Sequence, residues 1–270
     1  MALLLCEGAG PDSGPDETSV TTQTWAWWRI CPVNVAEPGH ANSAVLIPGT
    51  GSDEVFVRSV FEVPFAAICV GTVTPKPVPG PMLAEAYLAA LDEAGREGPV
   101  VAGGVSFGAH LAAEWALANR DRCAGLVLAL PGWYGTPGEA PGAVSARLGA
   151  RLVREQGADA ALAAATAGVP EWLAAELTRT WRGYGDRLAD SLAAPAERPA
   201  PTLEELATLD IPVGIAACVD DPVHPLTVAK QWLRALPRAT LCTIRFDVLG
   251  VDPEALGRAA VLAWLRAGGR

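Results

Sequence analysis

A G-V-S-F-G motif at residues 104–108 places the strongest constraint on how this chain folds. The motif follows an apolar run at 99–103 and leads into a helical pattern at 110–119. Glycines two residues to either side of Ser106 remove the Cβ atoms that would collide at a sharp strand-to-helix turn. Such a turn forces the serine towards positive φ and holds its hydroxyl out at the edge of a sheet. The sequence therefore predicts a nucleophile elbow, with the N-terminal end of a helix directed at Ser106.

Strand-like apolar runs alternate with helical patterns along the rest of the chain. The predicted strands lie at 24–33, 44–47, 66–70, 100–104, 124–130, 213–218 and 241–246, and the predicted helices at 81–96, after Ser106, at 226–236 and from Asp252-Pro253 onward. Repeated alternation with nearly continuous apolar strands predicts an α/β fold, a mostly parallel sheet flanked by helices on both faces.

Residues 132–209 interrupt this alternation, because they show a helical pattern and no convincing strand. We interpret them as a helical cap, or lid, inserted over the carboxyl edge of the sheet, where ligands bind in open α/β folds. An enlarged ordinary crossover is the alternative. The core then consists of 21–131 and 210–270. Residues 1–20 contain little that could be buried and are expected to form a flexible N-terminal arm.

Composition narrows the possible partners. The chain has 270 residues, half of them apolar, which suits one domain with a sizeable core. The net charge of −10 disfavours a nucleic-acid surface or binding to anionic lipid, and no run of 18 apolar residues predicts a membrane span. The remaining expectation is a small-molecule substrate.

Cysteine and histidine usage bears on location and cofactors. The six cysteines are scattered singly, mostly inside apolar runs, so we expect buried thiols in a reducing compartment and hence a cytoplasmic location. No cluster of His, Cys and carboxylate residues has the spacing of metal ligands. The expected chemistry therefore uses neither a metal nor a cofactor.

Three stretches resemble the α/β-hydrolase fold superfamily, and the resemblance extends from residue 24 to residue 266. They are the elbow, the V-L-I-P-G-T-G segment at 45–51, and the segment 211–225, whose D-P-x-x-P loop begins at Asp221. The resemblance implies that Ser106 is a nucleophile, that the backbone N–H groups of Thr50 and Phe107 form an oxyanion hole, and that Asp221 is the acid of a catalytic triad. Pro48 stands where the family commonly has a histidine.

The chain departs from the family where the triad histidine is expected, after the last strand. Residues 241–270 contain no histidine, and the relevant loop reads D-V-L-G-V-D at 247–252. A serine hydroxyl is a poor nucleophile until a base removes its proton, and the leaving group needs that proton back. Another imidazole must therefore act as the base, or the chemistry is impaired.

His40, His110 and His224 are the three histidines of the chain. We favour His224, because it lies in the same loop as Asp221 and its ring could turn towards Ser106. Alternatively, His224 is held by its flanking prolines and bonds only to backbone carbonyls. His110 lies one helical turn beyond Ser106, where a side chain usually points into packing. His40 is expected at the opposite end of the sheet.

These features together favour a serine hydrolase that acts on an ester, thioester or lactone of a small hydrophobic molecule. Gly51, Trp133 and Tyr134 are expected to contact the substrate, since they lie near the ends of strands at the mouth of the pocket. Two alternatives remain open. One is a non-hydrolytic catalyst on the same fold, such as a cyclase, lyase or dehydratase. The other is a catalytically inactive binding protein.

Overall fold

A six-stranded sheet forms the centre of the protein in a computed structural model that describes residues 43–270. The strands are β1 (Ser43–Ile47), β2 (Gly71–Val73), β3 (Val100–Val105), β4 (Cys123–Ala129), β5 (Val213–Cys218) and β6 (Ala239–Ile244). Their order in the sheet is β2-β1-β3-β4-β5-β6, and all neighbouring strands are parallel. The predicted mostly parallel α/β sheet is therefore confirmed.

Helices cover both faces of the sheet. The helices are α1 (Glu54–Ala66), α2 (Leu83–Ala94), α3 (Phe107–Ala118), α4 (Pro141–Gln156), α5 (Ala158–Thr166), α6 (Glu171–Tyr184), α7 (Leu188–Glu197), α8 (Leu203–Leu206), α9 (Leu226–Ala235), α10 (Phe246–Val251) and α11 (Glu254–Arg266). One apolar cluster joins α1 and α11 to the sheet, and the other joins α2, α3 and α9 to it. This explains why every residue of β3 and β5 is buried and why both strands are apolar throughout.

Between β4 and β5 the chain forms helices α4 to α8 and one isolated bridge, from Gly135 to Ala200. We call helices α4 to α7 the cap helices. They have an apolar cluster of their own, which includes Trp181, Tyr184 and Leu192. The helical pattern read at 132–209 thus corresponds to helices that pack on one another.

One local prediction is wrong. The run at 66–70, predicted as a strand, begins at the last residue of α1, and its other residues precede β2. Helix α1 was not predicted, although Asp53 caps it by accepting the N–H groups of Val55 and Phe56. Helix α10, which precedes α11, was also not predicted.

The prediction of free thiols holds for Cys123, Cys218 and Cys242 and is wrong for Cys69, which is disulfide-bonded. The predicted arm at 1–20, the predicted strand at 24–33 and His40 lie outside the described residues. Within 43–270, no helix has the length and apolar character that crossing a membrane requires, and no group of three or more potential metal ligands occurs.

Candidate active site

Ser106 occupies a sharp turn between β3 and α3. Its backbone has φ 55° and ψ −113°, a conformation that a residue with a side chain rarely adopts. Its N–H donates to the carbonyl of Ala129 at 2.8 Å, which ties the turn to the end of the neighbouring strand β4. Strain of this kind persists only where the surrounding structure enforces it, and it is common at functional sites.

The glycines of the motif are needed because the turn lies directly against the end of β1. A Cβ atom at Gly104 would lie 2.3 Å from the carbonyl oxygen of Ile47, and a Cβ at Gly108 would lie 2.1 Å from the same oxygen. Both distances are far inside van der Waals contact. The G-x-S-x-G pattern in this chain is thus a packing requirement of the strand–turn–helix unit.

The loop after β5 is organised by two carboxylates. Oδ1 of Asp221 accepts the N–H groups of Val223 at 2.7 Å and His224 at 3.1 Å, so the loop folds back on its own acid. Asp220 points the other way and accepts the N–H of Phe246, the first residue of α10, at 2.7 Å. Asp221 therefore holds the loop, while Asp220 connects it to the segment that follows β6.

A continuous hydrogen-bonded chain joins this loop to the elbow. Nε2 of His224 lies 2.9 Å from Oγ of Ser106, and Nδ1 of His224 lies 2.8 Å from Oδ2 of Asp221. A carboxylate at Nδ1 favours the tautomer that carries its proton there, which leaves Nε2 free to accept the serine proton. The three side chains thus have the geometry of a nucleophile, a base and an orienting acid.

Asp221 is suited to remain ionised at neutral pH. It is only 8% exposed, and burial alone would raise its pKa. The hydrogen bond and charge interaction with His224, together with the N–H groups of Val223 and His224, outweigh burial and lower the pKa of Asp221 below its usual value.

His110 lies close to the same site but has a different role. It is 2% exposed, and its Nε2 accepts the N–H of Gly132 at 3.0 Å and that of Trp133 at 3.4 Å. Burial, and then the nearby His224, lower the pKa of His110 to about 3, so the ring is neutral at physiological pH. The position in packing that the sequence predicts for His110 is the one observed.

The predicted oxyanion donors come from two segments next to Ser106. The loop at 49–53 passes close to the elbow, since a Cβ at Gly49 would lie 3.4 Å from Cβ of Ser106. The Phe107 side chain is buried in the core, so only its backbone N–H can act in the site. That N–H belongs to the first turn of α3, where N–H groups have no partner within the helix.

A cavity of about 490 Å³ opens above Ser106, between the sheet and the cap helices. Ser106, His224 and the 49–52 segment form its floor, and α4, α5 and α6 form its far walls. The apolar lining includes Phe56, Leu130, Trp133, Leu148, Leu152, Ala161, Ala164, Ala165, Val169, Trp172, Leu173, Leu177, Trp181, Leu192, Val223, Phe246 and Leu249. Its size falls within the range of roughly 300–1,000 Å³ typical of small-molecule sites.

The predicted substrate contacts are not all in this cavity. Gly51 and Trp133 line it, as do Thr50, Asp221 and His224. Tyr134 does not, and the residue is 39% exposed. The expectation for Tyr134 is therefore wrong.

Other solved structures share this architecture. An esterase from Thermogutta terrifontis superimposes with a TM-score of 0.66 at 20% identity, over 86% of this chain and 92% of the other. A hydrolase from Oleispira antarctica gives 0.65 at 15% identity, over 83% and 91%. A hydrolase from Pseudomonas aeruginosa gives 0.62 at 20% identity, over 83% and 90%. The chain has the α/β-hydrolase fold. Neither a protein-family model nor a curated protein matches its sequence.

This α/β-hydrolase fold carries its imidazole in an unusual place. The segment after β6, where the family places its histidine, forms α10 and contains no histidine. The imidazole next to Ser106 instead comes from the loop after β5, three positions beyond its own carboxylate. One short loop thus supplies both the acid and the imidazole.

Sequence reasoning missed most of the wall of the cavity. Trp172 and Phe246 both line it, with their ring centroids 5.3 Å apart, although they come from distant segments. The sequence predicted Phe246 at the end of a strand, but β6 ends at Ile244 and Phe246 begins α10. Only this change from strand to helix could have indicated its position. Glu176 also lines the cavity and carries no sequence motif.

Proposed function

We propose that this protein is a serine hydrolase that cleaves a carboxylic ester, thioester or lactone with a large apolar part, through an acyl-enzyme on Ser106. The observation that carries the proposal is the continuous chain from Oγ of Ser106 through His224 to Asp221, with both links within 3 Å. A positioned base at this distance is what activates a serine hydroxyl.

In the first half-reaction, Nε2 of His224 accepts the proton of Ser106 while Oγ forms a bond to the carbonyl carbon. The carbonyl π electrons move to the oxygen, and the N–H groups of Thr50 and Phe107 stabilise the resulting anion. When the tetrahedral intermediate collapses, the bond to the leaving group breaks and His224 returns the proton to that group. Asp221 stabilises the imidazolium throughout and is not itself protonated.

In the second half-reaction, water replaces the leaving group. His224 removes a proton from the water, whose oxygen attacks the acyl carbon, and the same N–H groups stabilise the second oxyanion. The acyl–Oγ bond then breaks, the proton returns to Ser106, and the carboxylic acid is released. The reaction needs no cofactor.

The lining of the cavity supports an uncharged, apolar substrate portion. Among the described residues that line the cavity, the ionisable ones are Asp221, His224 and Glu176. Of these, only Glu176 lies outside the triad. Glu176 is already paired with Arg179 of α6. Because no cationic side chain lines the wall, an anionic group on the buried part of the substrate would be poorly stabilised.

A panel of p-nitrophenyl esters and acyl-thioesters of increasing chain length tests the proposal, with Ser106→Ala as the matched variant. We expect turnover by the wild type and loss of turnover in the variant, with the fold preserved by circular dichroism. Full activity in folded Ser106→Ala would instead support a non-hydrolytic catalyst. Thermal stabilisation by these compounds without any turnover would support a binding protein.

A further inference from the structure

Helix α6 contacts the loop at 49–53 through three side chains. Arg179 donates from both terminal nitrogens to the carboxylate of Asp53, at 2.6 Å and 2.8 Å. The hydroxyl of Tyr184 donates to the carbonyl of Ser52 at 2.6 Å. These contacts link residues far apart in sequence, since Arg179 and Asp53 are separated by 126 positions.

The third contact is steric. A Cβ atom at Gly51 would lie 2.8 Å from Nε1 of Trp181, so the indole packs directly on the backbone of the loop. Gly51 has φ +69°, a conformation that glycine adopts readily. Thr50 lies between Gly49 and this packed glycine, so the contact restricts the peptide that bears the proposed oxyanion donor.

The two aromatic contacts are buried, whereas the ion pair lies at the surface. Tyr184 and Trp181 are buried, and the side chains of Asp53 and Arg179 are 18% and 39% exposed. Two parallel N–H···O bonds between guanidinium and carboxylate fix direction as well as distance, unlike most exposed ion pairs. Arg179 is also bonded to Glu176 on its own helix, which orients the guanidinium towards the loop.

Asp53 is the point where three elements meet. Its Oδ1 caps α1 through the N–H groups of Val55 and Phe56 while both of its oxygens bind Arg179. Burial alone would raise the pKa of Asp53, but the bonds from Arg179 and the helix lower it overall, so the carboxylate is charged at neutral pH.

We propose that Arg179 and Tyr184 are positioning residues: by fixing Asp53 and Ser52 they hold the 49–53 loop so that the Thr50 N–H meets the developing oxyanion. The inference rests on the proposed function of the Ser106 site. Oxyanion donors act only when they lie about 2.7–3.1 Å from the oxygen, and displacements near 1 Å can cost activity on the order of 10²-fold. The cap helices would then contribute to the rate as well as to the pocket.

The test compares Arg179→Met and Tyr184→Phe with a control, Arg154→Met. Arg154 pairs with Asp190 within the cap helices at 3.0 Å and does not touch the loop. We expect Arg179→Met to lower kcat for a p-nitrophenyl ester by about 10-fold, with KM changed less than about 2-fold, because the lost interaction acts in the transition state. Tyr184→Phe should show a smaller loss of the same kind, and the control should match the wild type.

Two further readouts separate positioning from general stability. The affinity of an alkyl boronic acid, whose tetrahedral adduct on Ser106 occupies the oxyanion site, should fall in parallel with kcat. Asp53→Asn retains an N-cap for α1 but loses the charged pair. Combining it with Arg179→Met should cost no more kcat than Arg179→Met alone.

Hydrogen exchange of the 49–56 segment tests the contact between α6 and the loop even if the wild type hydrolyses nothing. Arg179→Met should accelerate exchange in this segment, whereas Arg154→Met should not. Unchanged exchange in Arg179→Met, or a loss confined to KM with unchanged boronate affinity, would overturn the inference. Absence of wild-type turnover together with faster exchange would overturn the proposed function but leave the loop contact established.

Discussion

The sheet layer and the cap helices border the same cavity, but they shape it by different means. The sheet layer positions Ser106, His224 and Asp221 through backbone geometry: a strained turn, glycines that admit no Cβ, and a loop folded on its own acid. The cap helices contribute apolar walls that are formed jointly by many side chains. Substitutions in the sheet layer should therefore abolish activity or stability, whereas those in the cap helices should adjust rate and preference.

The largest expected effect is in the sheet layer. His224→Ala should reduce kcat by about 10³-fold or more, because Ser106 then lacks a base, while the protein remains folded. Steady-state kinetics with a p-nitrophenyl ester measure this. The matched control is His110→Ala, which should mainly lower stability, since it leaves the N–H groups of Gly132 and Trp133 without an acceptor. Equal losses of activity in two folded variants would contradict the assignment.

Glycines give a direct comparison of the two regions. Gly108→Ala should lower the free energy of unfolding by about 1–3 kcal/mol, because the new methyl group would meet the carbonyl of Ile47 at 2.1 Å. Gly183 lies in α6 with nothing within 4 Å of a Cβ position. Gly183→Ala should therefore stabilise the protein, by about 0.5–1 kcal/mol. Urea unfolding measures the free energy of unfolding of both variants. A change of the same sign in Gly108→Ala and Gly183→Ala would contradict the comparison.

Lowering the pH should reduce the stability of the protein through His110, which belongs to the sheet layer. Its folded pKa of about 3 lies below the ordinary value of 6.5, so the unfolded chain binds the proton first as pH falls. Stability from this group is therefore complete above pH 6.5 and is lost as pH falls towards 3. Between pH 7 and pH 5 the loss should be about 1–2 kcal/mol. Urea unfolding at several pH values should show that the free energy of unfolding depends less on pH in His110→Gln than in the wild type. Equal pH dependence would contradict this account of His110.

The smallest effect is expected in the cap helices. Ala165 lines the cavity, whereas Ala163, on the same helix, does not. Ala165→Leu should shorten the pocket and lower kcat/KM for a long-chain ester relative to a short one by about 10-fold, since each buried methylene contributes about 0.8 kcal/mol. Ala163→Leu should leave the ratio unchanged. An identical chain-length profile in both variants would show that this wall does not contact the acyl chain.

The sequence could predict structural features that are set by residues close to one another in the chain. The elbow is encoded in a pentapeptide, because strain at Ser106 and clearance at Gly104 and Gly108 are local requirements. The acid loop was predicted in part: the motif places Asp221 and His224 in one loop, but the position of the ring between Asp221 and Ser106 comes from the structure. The alternation of strands and helices was sufficient to predict the parallel sheet.

What sequence could not predict depends on distant partners. The pairing of Arg179 with Asp53 and the contact of Trp172 with Phe246 join segments without any shared motif. Helix α1 was missed because its buried face is defined by packing against α11, and the local cap signal at Asp53 was not recognised. Tyr134 was misplaced because it directly follows Trp133 in sequence, yet Trp133 is buried at the cavity whereas Tyr134 is exposed.

Labelling with a serine-directed fluorophosphonate reports the reactivity of a single oxygen, Oγ of Ser106. We expect one label per chain, located on Ser106 by peptide mass spectrometry, and labelling slower by about 10³-fold in His224→Ala. Equal labelling rates in the wild type and in folded His224→Ala, or a label on another residue, would contradict this expectation.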